Sequence, residues 1–238
     1  MTTLTKIIAI GLVSCLFLSC NLGKGIDGDG HVVISERTIN EPFDAIKISN
    51  GLDLQLTQSE AVSLTVETDT NLQDFIETSV ENGVLNIYTT ENIRRSTLKK
   101  VRLSFNSIKA IKATSGSDVW GKNLIQTSQL TLESTSGADI KLEVKTDSLT
   151  CTTTSGSDIE LSGSTKHFAA KATSGSDIEA AQLISETAVA SVTSGADIEV
   201  YASKTLTANA TSGGDITYYG NPETVSASDN SAGSIKKH

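Results

Sequence analysis

Aromatic side chains make up only 4% of the 238 residues, and there are two prolines and one tryptophan. With so few rings, a core has to be assembled from thin aliphatic layers, for which Ile, Val, Leu and Thr are abundant. Cysteine is nearly absent. Of Cys15, Cys20 and Cys151, the first two fall in the leading segment, so no intramolecular disulfide is expected and packing and hydrogen bonds must hold the fold. Positive charge is the minority: 19 Lys and Arg stand against 28 Asp and Glu, a net charge of −9, which argues against nucleic acid as a partner. The three histidines, His31, His167 and His238, lack metal-ligand spacing. One long apolar run exists, residues 7–18, and it is too short to span a bilayer as a mature helix.

That run follows Lys6 and has the length of a signal-peptide core. It stops at Ser19-Cys20, before the polar Asn21-Leu22-Gly23-Lys24-Gly25. A small residue before a Cys at this place resembles a bacterial lipobox, whose Cys becomes the lipidated first residue of the mature protein. Residues 1–19 are therefore read as a lipoprotein signal peptide and Cys20 as the lipidation site. Cys15, in Leu12-Val13-Ser14-Cys15, fits the lipobox letters too, but cleavage there would leave Leu16-Phe17-Leu18 exposed. Losing Lys6 turns 19 basic and 28 acidic residues into 18 and 28, a mature charge of −10. The expected location is the cell envelope, lipid-anchored at the outer membrane, with the periplasmic or surface face left open.

What the sequence does have is a repeat. Thr-Ser-Gly, a small residue, Asp, then Ile or Val recurs six times, placing Asp118, Asp139, Asp158, Asp177, Asp197 and Asp215 at steps of 21, 19, 19, 20 and 18. A period near twenty with strand-forming residues between the turns is the mark of a stacked β-coil. With the Ser of each phrase as origin, positions two and four before it and four after it are small or aliphatic, from Ile111, Ala113 and Val119 to Ala208, Ala210 and Ile216. The intervening positions, such as Lys112, Glu133, Lys141, Glu160 and Glu179, are polar. Alternation of this kind puts one set inside and the other outside. The Gly permits a tight corner, and about eight residues such as Lys145-Thr146-Asp147-Ser148 remain to close each coil. An all-β fold follows: a parallel β-helix or β-solenoid of about 19-residue coils, expected to be right-handed. Six coils would make a rod on the order of 30 Å.

The first half holds a fainter copy, Ile46-Lys47-Ile48-Ser49-Asn50-Gly51-Leu52-Asp53-Leu54, so the coil starts near Phe43 and is then interrupted. Between the copies, Val62-Leu64-Val66, Leu85-Ile87 and Val101-Leu103-Phe105 alternate as strands, with Glu81-Asn82-Gly83 as a turn and residues 71–76 as a helical turn. Residues 20–41 are read as tether and first strand, 42–238 as one solenoid domain, 61–107 as an inserted antiparallel segment and 108–238 as regular coils. Ser231-Ala232-Gly233-Ser234-Ile235 looks like a terminal coil without its Asp, as suits a cap.

These phrases in this order, Gly28-Asp29-Gly30-His31-Val32, Arg37-Thr38, residues 43–51, residues 81–87, the serial Ser-Gly-small-Asp-Ile units and a closing Gly220-Asn221-Pro222, resemble the head GIN domain family. The likeness covers residues 26–235, with Asp29 and His31 standing where that family more often has Ser and Asn. It implies an exported, adhesin-like protein of the Bacteroidota, often a lipoprotein. No membrane-barrel sequence follows the coils, so the autotransporter arrangement is not expected.

The sharpest candidate for chemistry is the Asp ladder. Six stacked Asp carboxylates 4.8 Å apart repel by about 0.9 kcal/mol per pair in water and about 3.5 kcal/mol at an effective dielectric of 20. Either each Asp braces its own corner through backbone N–H groups and hydroxyls, or Ca²⁺ bridges neighbours. Thr114, Thr135, Thr154, Thr173, Thr193 and Thr211 form a hydroxyl row that could meet a repetitive glycan, and Trp120, Tyr201, Tyr218 and Tyr219 could stack on sugars or simply pack. Cys151 faces inward as inert packing, and no serine has a base nearby. The expectation is a non-enzymatic binding, adhesion or scaffolding surface, with a glycan or cell-surface ligand and an end-to-end homo-oligomer as partners to consider. A carbohydrate-active β-helix enzyme of polysaccharide-lyase type and a purely structural spacer are the alternatives.

Overall fold

A computed structural model describes residues 25–230 and 232–238. The readings at residues 1–24, Cys15 and Cys20 included, lie outside the described residues. Twenty strands follow in order. The first nine are β1 (Ile26–Asp27), β2 (Val32–Arg37), β3 (Ala45–Ile48), β4 (Asp53–Gln58), β5 (Ser63–Asp69), β6 (Ile76–Glu81), β7 (Val84–Thr89), β8 (Ile93–Arg95) and β9 (Lys99–Phe105). The coils continue through β10 (Ala110–Thr114), β11 (Asp118–Gly121), β12 (Ile125–Thr135), β13 (Asp139–Thr154), β14 (Asp158–Thr173) and β15 (Asp177–Thr193). They end in β16 (Asp197–Tyr201), β17 (Thr205–Thr211), β18 (Asp215–Tyr219), β19 (Thr224–Asp229) and β20 (Ser234–Lys237). The architecture is a parallel β-solenoid of about seven turns, its coils about 19 residues apart, with antiparallel strands in the N-terminal part.

The alternation read from the sequence is the alternation of burial. Ile140, Leu142 and Val144 point in from β13, then Leu149, Cys151 and Thr153 do so after a phase change at the exposed Asp147 and half-buried Ser148. The same phase change falls at Lys166-His167 in β14 and Glu186-Thr187 in β15. Most of the residues expected to form a closing loop therefore stay in the strand ladder, Lys145 opposite Ser164 and Thr146 opposite Thr165. Two successive outward side chains turn the coil, so no real loop is needed. The extra residue of the 20-residue coil is absorbed as a register shift, where Glu160 to Ser162 faces Glu179 to Gln182.

At the other corner, two consecutive residues are left-handed. Ser155 and Gly156 have φ of 61° and 65°, and every Ser-Gly corner from Ser115 to Gly213 repeats the pattern. The sequence reading assigned that burden to the Gly alone. Asn50-Gly51 and Asn82-Gly83 supply the same geometry with Asn, the non-glycine residue best suited to it. N–H groups of the corners bond to the next coil, Gly137 to the carbonyl of Ser155 at 3.2 Å and Gly175 to that of Ser194 at 3.2 Å.

The segment between the two copies of the phrase extends the solenoid instead of forming a separate unit. Strand β7 runs parallel beneath β3, with Ile46 opposite Leu85, and β9 runs parallel beneath β4, with Leu54 opposite Val101. Antiparallel strands then close the end: β6 on β7 through the Asn82-Gly83 hairpin, β5 on β9, and β2 on β5. Residues Thr70–Phe75 form a single 3-10 turn between β5 and β6, where a helical turn was expected. One face of the rod is thus eleven strands deep, from β2 to β20, about 50 Å at 4.8 Å per step. That exceeds the 30 Å expected from six coils because the end layers add to the stack.

Candidate functional site

The strands that leave the Ser-Gly corners carry two outward columns. Through direct pairing, Asp53, Asp118, Asp139, Asp158, Asp177, Asp197 and Asp215 stand in line, with Lys100 below Asp53 and Ser234 above Asp215. All six Asp residues named from the sequence are therefore brought together, and Asp53 makes a seventh. Two residues further along each strand, Arg102, Gln55, Trp120, Lys141, Glu160, Glu179, Glu199, Thr217 and Lys236 form the second column. Lys141 pairs with Glu160 at 2.6 Å and Lys100 lies 5.2 Å from the centre of the Trp120 ring, so the cations gather at the lower end. Higher up, carboxylates are neighbours in both directions.

The expected bracing of the corner by Asp is not what the geometry shows. Where a Ser follows the Gly, its inward hydroxyl does that work: Ser117 Oγ donates to the carbonyl of Thr114 at 2.9 Å, Ser157 Oγ to that of Thr154 at 3.0 Å, and Ser176 Oγ to that of Thr173 at 2.8 Å. An inward hydroxyl is close enough to close the turn, whereas the Asp side chain projects from the outer face of the next strand. Asp177 accepts the N–H of Asp197 on the next coil, at 3.3 Å, and Asp139 and Asp197 likewise accept those of Asp158 and Asp215. The Thr row is in register as well, and Thr114, Thr135, Thr154, Thr173 and Thr193 each face the Ser hydroxyl of their own corner, at 3.3 Å for Thr154 and Ser155.

Electrostatics records the crowding. Burial, then the charge of Asp53, holds the Asp118 carboxyl above its ordinary range. For Asp139 the causes are burial and Asp118, and for Asp197 they are burial, Asp177 and Asp215. Glu179 is raised by burial and then by Glu160, Glu199, Asp158 and Asp177 together. An acid whose value is raised on folding binds its proton more readily folded than unfolded, so its contribution to stability is complete below the ordinary value and is lost as pH rises through the raised one. Melting at low ionic strength should therefore fall as pH rises from about 4, the ordinary carboxylate value, to about 7, and added salt should narrow the gap. A melting temperature that rises across that range in the ladder's own contribution, read as the difference from Asp139→Asn with Asp197→Asn, would contradict the ladder as a repulsive array.

The opposite edge of the rod is built differently. Lys166 meets Asp147 at 2.7 Å and Lys204 meets Glu186 at 2.5 Å, so charges alternate up the column and cancel. The remaining residues singled out from the sequence are dispersed. Cys151 is buried, its thiol pushed up by desolvation and so kept from forming thiolate. His31 is exposed beside Asp29, His167 Nδ1 lies 2.8 Å from the Thr187 hydroxyl, and His238 stacks on Tyr219 with ring centres 4.7 Å apart. Among the described residues, no group of three or more His, Cys, Asp or Glu is gathered as a metal site, so a Ca²⁺ ion would have to share carboxylates across coils with water completing its shell.

These features define a class: a parallel β-solenoid closed at one end by antiparallel strands, bearing register-matched polar columns on its outer faces. Within that class, residues 42–222 match the family described as "Putative auto-transporter adhesin, head GIN domain", and the chain belongs to this family. Among solved structures, a "putative adhesin" from Bacteroides fragilis is 22% identical over 90% of this chain and 100% of its own, with a TM-score of 0.84. A "Putative lipid binding protein" from Parabacteroides distasonis is 26% identical over 90% of this chain and 100% of its own, with a TM-score of 0.74. A "putative adhesin" from Parabacteroides merdae, 20% identical over 91% of this chain and 100% of its own, also has a TM-score of 0.74. No match was found among curated proteins.

Proposed function

We propose that this chain is a lipid-anchored cell-envelope protein that works without catalytic turnover, its acidic double column serving as an adhesion or scaffolding surface. The observation that carries the reading is the contrast between the two edges. The same repeat alternates charge at Asp147, Lys166, Glu186 and Lys204, yet stacks seven Asp and three Glu in the double column. Like charges directly opposite cost about 0.2–1 kcal/mol per pair, and an external ligand that satisfies them would recover it. The Thr hydroxyl row beside the columns adds hydrogen-bonding capacity at the same 4.8 Å repeat, which suits a repetitive glycan. Neighbours described as adhesins favour the same reading, and the description of the Parabacteroides distasonis neighbour adds lipid to the ligand classes to test. End-to-end association of copies is not part of the proposal.

The test is an array of glycans, matrix proteins and lipids probed with the mature chain, with and without Ca²⁺. Saturable binding is expected, weakened severalfold by Glu160→Gln, Glu179→Gln and Glu199→Gln together and only partly by Asp158→Asn with Asp177→Asn. Turnover abolished by the Asp pair would support the enzyme reading, and no saturable ligand at all would support a spacer. For the anchor, Cys20→Ala should abolish incorporation of a labelled fatty acid in cells. Undiminished labelling would move the anchor to Cys15 or overturn it.

A further inference from the structure

The described chain begins beside the most basic part of the molecule. Strand β1 pairs with β8, Ile26 opposite Ile93 and Asp27 opposite Arg95. From β8 into β9 run Arg94, Arg95, Lys99, Lys100 and Arg102, five cations in nine residues of an otherwise acidic chain. Two are engaged: Arg94 Nε donates to Asp27 at 2.9 Å, and Arg102 meets Glu67 at 2.5 Å. Lys100 is flanked in its column by Asp53 and Glu67 and leans over Trp120. Arg95 and Lys99 make no salt bridge among the described residues; Arg95 is exposed opposite Asp27, whose carboxyl is held low by Arg94 first and then by Arg95, and Lys99 lies beside the Gly51 corner. At the same end, the outermost strand β2 exposes Val32, Val33 and Ile34, the last at 62%.

We propose that this end is a foot that docks on an anionic bilayer, with Arg95 and Lys99 at the headgroups, Val32, Val33 and Ile34 at the interface, and the acidic columns repelled outward. The inference rests on the reading of Cys20 as the anchor. Cys20 lies five residues before Gly25, so an acylated Cys20 holds β8 within roughly 18 Å of the bilayer. Exposed apolar side chains beside cations outside any salt bridge suit the boundary of headgroup and acyl chain. Charge chooses the orientation: the foot is attracted to an anionic leaflet, and the carboxylate columns above it are driven away.

Every described strand lies within residues 20–238, so that segment carries the whole fold and can be coupled through the Cys20 thiol to a maleimide lipid in vesicles. Its other cysteine, Cys151, is buried. Acylation of the Lys99 amine by a water-soluble reagent is then compared on phosphatidylcholine vesicles and on vesicles that also hold phosphatidylglycerol. Each cation near an anionic surface shifts docking about fivefold, so with Arg95 and Lys99 both engaged Lys99 should label about twenty-fivefold more slowly on the anionic vesicles. High salt should erase the difference, and Arg95→Glu or Ile34→Ser should each reduce it severalfold. Equal labelling on both vesicles overturns the proposal. So does protection that disappears when the coupled density is lowered, which would identify a second copy as the occupant. Because the coupling is chemical, the outcome is independent of whether cells acylate Cys20, which the fatty-acid labelling decides separately.

Discussion

Gly163→Ala is expected to lower stability by about 3 kcal/mol, on the order of 10 °C in melting temperature, whereas Gly175→Ala should cost about 1 kcal/mol. Gly163 lies within β14 at φ 104°, in line with Val144 and Leu183 on adjacent coils. A Cβ there would sit 2.1 Å from the Val144 carbonyl oxygen and 3.1 Å from its carbon and nitrogen, all of them backbone atoms that cannot swing away. Separation of the coils would break the ladder on both sides. Gly175, at φ 63° on an open corner, has nothing within 4 Å of such a Cβ, so only the left-handed backbone penalty applies. Equal denaturant midpoints for the two variants would show that coil spacing at Gly163 is not tight.

The second large effect is expected at Asp69. This carboxylate is fully buried, and it accepts three bonds: from the Gly30 N–H at 2.8 Å, the Thr97 N–H at 2.7 Å and the Thr97 hydroxyl at 2.8 Å. Burial pushes its proton affinity up, but these donors prevail and hold it below the ordinary carboxylate range. Asp69→Ala strands the three donors and should cost about 3 kcal/mol, felt locally. Hydrogen exchange should rise at residues 26–31 and 93–97, with coils from Ala110 onward unchanged. Asp69→Asn, which keeps the shape but loses the charge and one acceptor, should fall between. A folded carboxyl with a lowered value stabilises above its ordinary value, and the stability is lost only as pH falls through the lowered one. The N-terminal corner should therefore open at lower pH than the range in which the Asp ladder gains stability. Uniform exchange across the chain in Asp69→Ala would contradict the local clasp.

The legibility of this molecule varies with periodicity. The coils could be read because each inward position recurs: Ile140, Ile159 and Ile178 announce one column, Leu132 and Cys151 another. The Asp ladder was legible for the same reason, and Asp53 could be aligned from Asn50-Gly51. What failed to repeat was missed. Asp69 follows Glu67-Thr68 as an ordinary polar residue, and only its place just before Thr70-Asn71 hinted at a chain reversal. The cations of the foot are divided between two strands with a turn between them, so no alternation marks them, although five in nine residues was a signal to find. The direction of the inserted strands also eluded the pattern. Burial in Leu85, Ile87, Val101 and Leu103 tells strand from loop but not parallel from antiparallel, and β7 and β9 proved parallel to the coils. The bracing serines were hidden by their size: Ser117, Ser157 and Ser176 occupy a position that Ala138, Ala196 and Gly214 share, so they read as filler.

The acidic columns form one face only if they are in register along one rod. Spin-label distances on residues 21–238 test this directly, since Cys151 is buried and stays unlabelled. Labels at Asp139→Cys, Asp118→Cys or Asp53→Cys, each paired with Asp215→Cys, span four, five and six coil steps. Backbone separations of about 19, 24 and 29 Å, rising by one 4.8 Å step per coil, are predicted. Distances that fail to increase in that order would contradict the stack, and with it the binding face.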